Sequence, residues 1–219
     1  MLLAIDVGNT NTVFAVYDDN NLLVEWRCAT EASRTADEYY VWLSSLIETQ
    51  VQKISISRVV ISSVVPQVIF NLTELGKKYF DFLPLIIGKA NCKLPVDVRV
   101  DEGANVGADR IVNTVAAFDR YGGNLIVVDF GTATTFDVVD NDGAYIGGVI
   151  APGVNLSVKA LHEAAAALPS IDVAQPKISI GTNTVACMKS GIFWGYVGLV
   201  KEICSRIKME HGLPMEVIG

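Results

Sequence analysis

Two short stretches, DVGNTNT at residues 6–12 and DFGTATT at 129–135, stand 123 residues apart, and each ends an apolar run with an aspartate, a glycine and a cluster of small polar residues. Overlaid at that offset, Asp129 falls on Asp6, Gly131 on Gly8 and Thr135 on Thr12. A tight hairpin needs only two turn residues. Five small polar positions in a row make a turn wide enough to be built around something.

The flanks of the two turns repeat as well. Residues 2–7, 12–17 and 22–28 read as three strands joined by short polar turns. ASRTADEYYVWLSSLIETQ follows as a helix, with Thr35 and Glu38 at capping-box spacing and Tyr39, Trp42, Leu43, Leu46 and Ile47 at helical intervals. The β-branched run RVVISSVV (58–65) reads as a buried strand ended by Pro66, before a helix over about 67–80 and a strand near 85–87. The helix GADRIVNTVAAFDRYGG then turns Ile111, Val112, Val115 and Phe118 toward a core. Residues 124–152 again give strand, acidic turn, strand, glycine turn and strand. Helices near 153–166 and 185–210 and a last strand, MEVIG, complete the pattern. The expected fold is α/β, a duplicated β-β-β-α-β-α unit whose halves face one another across a cleft with an Asp-x-Gly turn on each wall. The bland alternative is two unrelated hairpins that each carry an aspartate.

Such a pair of turns suits phosphate chemistry. Backbone N–H groups and hydroxyls wrap phosphate oxygens, and carboxylates hold a cation that bridges them. Composition narrows the partners. A net charge of −7 and a pI near 4.8 argue against a basic nucleic-acid surface, so an anion must be held by local donors or a metal. With half the residues hydrophobic and 19% charged, the chain can bury sizeable cores. The four cysteines, Cys28, Cys92, Cys187 and Cys204, form no CxxC pair, and His162 and His211 are the two histidines, so no zinc framework is recognisable. His162 reads as structural. The first residues lack a basic n-region, and no apolar run reaches a membrane-spanning length. A cytoplasmic protein is expected, with neither membrane nor nucleic acid as a partner.

The absence of GxxxxGK[ST] excludes a P-loop, and the DFG at 129–131 has no kinase catalytic loop upstream. The paired turns instead resemble the phosphate-binding turns of the acetate kinase, sugar kinase, Hsc70 and actin superfamily. Taken with RTADE (34–38), GADR (107–110), DFGTATTFD (129–137) and GGVIAPG (147–153), they resemble type III pantothenate kinases in the same order along nearly the whole chain. The resemblance implies a duplicated ribonuclease H-like, actin-like ATPase fold, with halves at 1–115 and 116–219. It also implies ATP-dependent phosphorylation of pantothenate to 4'-phosphopantothenate, the first step of coenzyme A synthesis. Two departures stand out. Family members continue past MEVIG into a Gly-rich turn that contacts adenosine and a last helix, which implies that the nucleoside side of the site lies beyond Gly219. Many also carry a pocket tyrosine seven residues before GADR, where this chain has Val100.

The roles implied are specific. ATP phosphates meet Asp6, Val7, Gly8, Asn9, Thr10, Asn11, Thr12 and Val13 on one wall and Thr132 on the other. Asp6 stands on the Mg-ATP side, and Gly8 lets the backbone approach closely. Asp129 belongs to a monovalent-cation site for K+ or NH4+, unless it is a second carboxylate on the magnesium side. Gly107, Ala108, Asp109, Arg110 and Thr184 contact pantothenate, and Arg110 suits its carboxylate. Asp109, in the first turn of a helix whose dipole favours its charge, is the expected catalytic base. From spacing alone, Asp109 is a helix-terminal charge, Arg110 a surface ion-pair partner and Thr184 an N-cap. Relatives are homodimers, for which VKALHEAAAALP and Trp194/Tyr196 are candidates, with a core role as the default. Other readings remain: a non-catalytic homologue acting as a nucleotide-binding transcriptional accessory factor, or another enzyme of the superfamily.

Overall fold

The computed structural model describes residues 1–50, 53–164 and 168–219, which form two compact units. The first comprises Met1–Pro95 with Gly103–Asn113, the second Val96–Glu102 with Thr114–Gly219.

In the first unit, β1 (Leu2–Val7), β2 (Asn11–Asp18) and β3 (Asn21–Ala29) form an antiparallel meander. Helix α1 (Ala36–Glu48) starts where expected. The Thr35 side chain accepts from the Glu38 N–H, and the Glu38 carboxylate accepts from the Thr35 N–H at 2.7 Å. Strand β4 (Arg58–Ser63) then pairs parallel with β1. It is two residues shorter than the sequence suggests, because the Ser63 hydroxyl turns the chain by accepting from Val65 N–H at 3.0 Å. A 3₁₀ turn at Pro66–Val68 leads into α2 (Ile69–Phe80), and β5 (Leu85–Ile86) completes a sheet of order β3-β2-β1-β4-β5. Alternate residues of β1 and β2, with Ile61 of β4, meet Tyr39, Leu43, Leu72 and Leu75 of α1 and α2 in one core. Burying each such side chain contributes about 1.5–3 kcal/mol.

Helix α3 (Ala108–Tyr121) spans the division between the units, which falls after Asn113. Its buried positions are Ala108, Ile111, Thr114 and Ala117, whereas Val112 is exposed. The stripe is centred on small residues rather than on the bulky ones that suggested it, because Ala117 and half-buried Phe118 pack against Leu125 and Val139.

The second unit repeats the meander with β6 (Leu125–Phe130), β7 (Ala133–Val139) and β8 (Tyr145–Pro152). Helices α4 (Val154–Ala164) and α5 (Thr184–His211) follow, then β9 (Glu216–Ile218), which pairs parallel with β6. The end expected for α4, residues 165–166, lies outside the described residues, as does part of VKALHEAAAALP. The sheet order β8-β7-β6-β9 matches β3-β2-β1-β4 of the first unit. So β9 takes the place of β4, and this half runs β-β-β-α-α-β, with the 28-residue α5 inserted before its fourth strand. Cys204 and half-buried Leu199, Ile203 and Ile207 of α5 cover Ile126, Val128 and Phe136.

Candidate functional site

Each Asp-x-Gly turn joins the first two strands of its sheet. In the first unit, Asp6 ends an apolar strand on its exposed side, paired with Val13 on β2 and with Ser62 on β4. Val7 points into the core, and its carbonyl accepts from Val64 N–H at 3.1 Å. The turn closes with Gly8 N–H donating to the Asn11 carbonyl at 3.0 Å. Asn9, Thr10 and Asn11 are exposed, Thr12 is fully buried and Val13 half-buried. A Cβ built on Gly8 would meet only the Asn11 carbonyl, at 3.4 Å, an ordinary contact. The fold itself therefore tolerates a side chain there.

Behind this turn lie Cys28, opposite Thr12 on β3, and the ring of Tyr39, with the Arg34 guanidinium 5.3 Å from the ring centre. Burial pushes both the Cys28 thiol and the Tyr39 phenol above their ordinary values. Neither is a nucleophile suited to neutral pH.

GADR occupies the same unit. Ile111 N–H donates to the Gly107 carbonyl, opening α3 so that Asp109 sits in its first turn. The Asp109 carboxylate folds back, its Oδ1 accepting from Arg110 N–H at 2.8 Å. A Cβ on residue 107 would stand 2.4 Å from that oxygen, so the carboxylate's position requires glycine there. Val64 links this segment to the first turn, since its N–H holds the Val7 carbonyl and its side chain lies beside Gly107. Beside them is a cavity of about 250 Å³ lined by Val64, Ile86, Lys89, Asn105, Gly107 and Ala108, among others. Asp6, the Gly8–Thr12 turn and Gly107–Arg110 thus belong to one unit, in which Val64 joins Val7 at the head of the turn to Gly107. Asp109 and Arg110 are half-buried.

Asp129, Thr132 and Thr184 belong to the second unit. Asp129 and Thr132 are exposed, and Gly131 N–H closes the turn onto the Ala133 carbonyl at 3.0 Å. This turn is one residue shorter than the first. Thr12 pairs with Val7, and the matching partner of Phe130 is Thr134, not Thr135. The constant offset of 123 therefore holds for Asp129 and Gly131 and slips at the threonine, where the fully buried residue is Thr134. The Thr134 hydroxyl hydrogen-bonds that of Tyr196 on α5. Tyr196 thus backs the turn, while Trp194, given a core role by default, is 42% exposed. At the start of α5 the cap is Asn183, not Thr184. The Asn183 side chain accepts from Ala186 N–H at 3.0 Å, leaving Thr184 exposed at the first helical position. Val100 lies half-buried in the short segment assigned to the second unit, which Arg99 anchors through Asp140 at 2.6 Å. Sequence reasoning missed Thr30, which holds the first turn from outside the motifs, and gave no role to Gly153, the last residue of GGVIAPG, which holds the second. The Gly153 N–H donates to the Thr132 carbonyl at 3.1 Å.

Among the described residues no three His, Cys, Asp or Glu side chains cluster as a metal cage, and no helix is long and apolar enough to cross a membrane.

Two mixed sheets of one strand order, each with an Asp-x-Gly turn between its first two strands, define an α/β fold of the actin-like ATPase class. The sequence profile of the type III pantothenate kinases matches residues 2–206, and the chain belongs to that family. It is 66% identical over 219 residues to the type III pantothenate kinase of Ruegeria sp. (strain TM1040), spanning all of this chain and 84% of that one. The corresponding protein of Dinoroseobacter shibae is 65% identical, with 100% and 86% covered. Among solved structures, a conserved Campylobacter jejuni protein assigned to the Baf family of transcriptional activators superposes with a TM-score of 0.53. It is 20% identical, and the match covers 92% of this chain and 78% of that one. At that identity the likeness speaks for the fold alone.

Proposed function

We infer that the chain transfers the γ-phosphoryl group of ATP to the primary hydroxyl of pantothenate, giving 4'-phosphopantothenate and ADP at the head of coenzyme A synthesis. The observation that carries this reading is the link through Val64, whose N–H holds the Val7 carbonyl at the head of the first turn and whose side chain lies beside Gly107, next to a cavity large enough for a small substrate. Transfer of this kind depends mainly on positioning and charge neutralisation.

The first turn holds the phosphates through the N–H groups of Asn9–Thr12 and its exposed side chains, and Thr132 does so from the second turn. Gly107–Arg110 hold pantothenate, with Arg110 toward its carboxylate and Thr184 as a further contact. Asp109 is the catalytic base. Its Oδ1 is engaged by Arg110 N–H, so Oδ2 accepts the hydroxyl proton as that oxygen attacks phosphorus and the bond to ADP breaks. Mg2+ would arrive on the nucleotide, with the Asp6 carboxylate at the first turn as a hard oxygen donor beside it. Bound there, Mg2+ would neutralise phosphate charge. Asp129, an exposed carboxylate at the matching position, suits a K+ or NH4+ ion.

All four cysteines are free, which suits the cytoplasm. The exposed Trp194 and Val197 of α5, three residues apart and so on one side of the helix, supply an apolar surface for a homodimer.

The test is ADP release from ATP with and without pantothenate, in potassium and in sodium buffer, beside Asp109→Asn. Pantothenate-dependent release that falls by about 10²–10⁴ in kcat in the variant supports the assignment. Release indifferent to pantothenate removes the acceptor, and an Asp109→Asn enzyme at wild-type kcat removes the base. Equal rates in potassium and sodium remove the monovalent-cation role of Asp129.

A further inference from the structure

We propose that Thr30 is a positioning residue that aims the N–H donors of the first phosphate turn. The idea rests on the reading of Gly8–Thr12 as the ATP phosphate site. Thr30 follows the last residue of β3, outside every motif that pointed to function. It touches the turn three times. Its N–H donates to the Thr10 carbonyl at 2.9 Å, its hydroxyl donates to the Gly8 carbonyl at 2.8 Å, and the Thr12 hydroxyl oxygen lies 2.9 Å from its own.

The direction of this small relay is determined. A threonine hydroxyl has one proton. Since the Thr30 proton goes to Gly8, Thr12 must donate to Thr30. The chain of donors runs from fully buried Thr12 through half-buried Thr30 to the backbone of the turn. Bonds in such a chain polarise one another.

Peptide planarity turns this into a statement about the donors. In a trans peptide the C=O and the following N–H point in opposite directions. Holding the Gly8 carbonyl toward Thr30 therefore turns the Asn9 N–H away from Thr30. Holding the Thr10 carbonyl toward Thr30 does the same for the Asn11 N–H. Both peptides of an exposed, glycine-containing turn are thus oriented before any anion arrives, and an anion need not reorganise them. Without the hydroxyl, the Gly8–Asn9 peptide is free to rotate, and part of the phosphate's binding energy goes into ordering it.

The second turn shares the backbone part of this device and not the hydroxyl. There the Gly153 N–H holds the Thr132 carbonyl as the Thr30 N–H holds that of Thr10, and buried Thr134 bonds to Tyr196. Gly153, in the place of Thr30, has no side chain, so the effect of the hydroxyl should be confined to the first turn.

The experiment compares Thr30→Val, which keeps the branched shape and loses the hydroxyl, with Thr30→Ser, which keeps the hydroxyl. Mg-ATP affinity is measured by calorimetry, and KM for ATP and for pantothenate by ADP release. Thr30→Val should weaken Mg-ATP binding by about tenfold, as for one lost hydrogen bond near a charged ligand. Its KM for pantothenate should stay within about twofold, because nothing in the relay touches Gly107–Arg110. Thr30→Ser should bind as the wild type does. Should Thr30→Val fail to fold, Thr30→Cys, a poor donor of similar size, must show the same loss. Wild-type affinity in a folded hydroxyl-less variant overturns the proposal, as does equal weakening in Thr30→Ser. A wild-type chain that binds neither Mg-ATP nor magnesium triphosphate, which needs no nucleoside contact, overturns the phosphate-site reading itself, which keeps the two failures apart.

Discussion

The two Asp-x-Gly turns share a strand order, an aspartate and a glycine, yet they are held by partly different means. Both have a backbone latch, Thr30 N–H on the Thr10 carbonyl and Gly153 N–H on the Thr132 carbonyl, and the first adds a side-chain latch, the Thr30 hydroxyl on the Gly8 carbonyl. The second turn is one residue shorter. The buried threonine of the first turn bonds the Thr30 hydroxyl just past β3, and that of the second bonds Tyr196 on α5. Duplication preserved what faces outward and let the support diverge. A donor constellation constrains a few exposed atoms, whereas many packings can hold it.

The comparison breaks most severely at Gly153. A Cβ there would lie 2.4 Å from the Gly131 carbonyl oxygen and 2.5 Å from that of Thr132, both backbone atoms that cannot step aside. Gly153→Ala should cost about 3 kcal/mol and lower Tm by roughly 6–12 °C, with turnover lost as the second turn is displaced. Wild-type melting in this variant would mean that the backbone latch is not rigid.

The two turn glycines sharpen the parallel. Gly8 and Gly131 each leave an added Cβ at 3.4 Å from a carbonyl, so alanine at either should leave Tm within about 2 °C. If both turns bind phosphate, each substitution should raise KM for ATP by about tenfold. An effect at Gly8 without one at Gly131 would leave phosphate binding to the first turn alone.

The smallest expected effect separates the two tyrosines. Tyr196→Phe removes the partner of buried Thr134 and should cost about 1 kcal/mol in chemical denaturation. Tyr39→Phe removes a buried hydroxyl whose one polar contact, the Thr12 side chain, is too weak to meet hydrogen-bond geometry, and should cost less than Tyr196→Phe. Equal costs would show that the supports are more alike than their hydrogen bonds.

Much of this was readable in the chain. Apolar alternation located both meanders, and the Thr35–Glu38 spacing predicted a capping box that forms as expected. Errors arose where one residue decided the outcome. A constant offset assigned Thr135 to the place Thr134 occupies, because a deletion inside a turn leaves no trace in strand periodicity. Thr184 looked like a cap beside Asn183, and only backbone angles distinguish neighbours that are both good caps. Val112 looked like core because hydrophobicity indicates a face only to within one position of a helical stripe.

The sequence by itself determined the repeated meander and the motifs that mark the family, since these rest on local pattern and chemical type, but not the order of elements in the second half, where two helices precede the fourth strand. It could not determine the supports. Thr30 lies 22 residues from the carbonyl it holds, and Gly153 lies 21 from Thr132. Neither spacing carries a periodicity. Only the folded sheets, which bring the end of a third strand beside the first turn, decide which hydroxyl or N–H reaches which carbonyl, because a hydrogen bond depends on a separation of about 3 Å in space and not on distance along the chain.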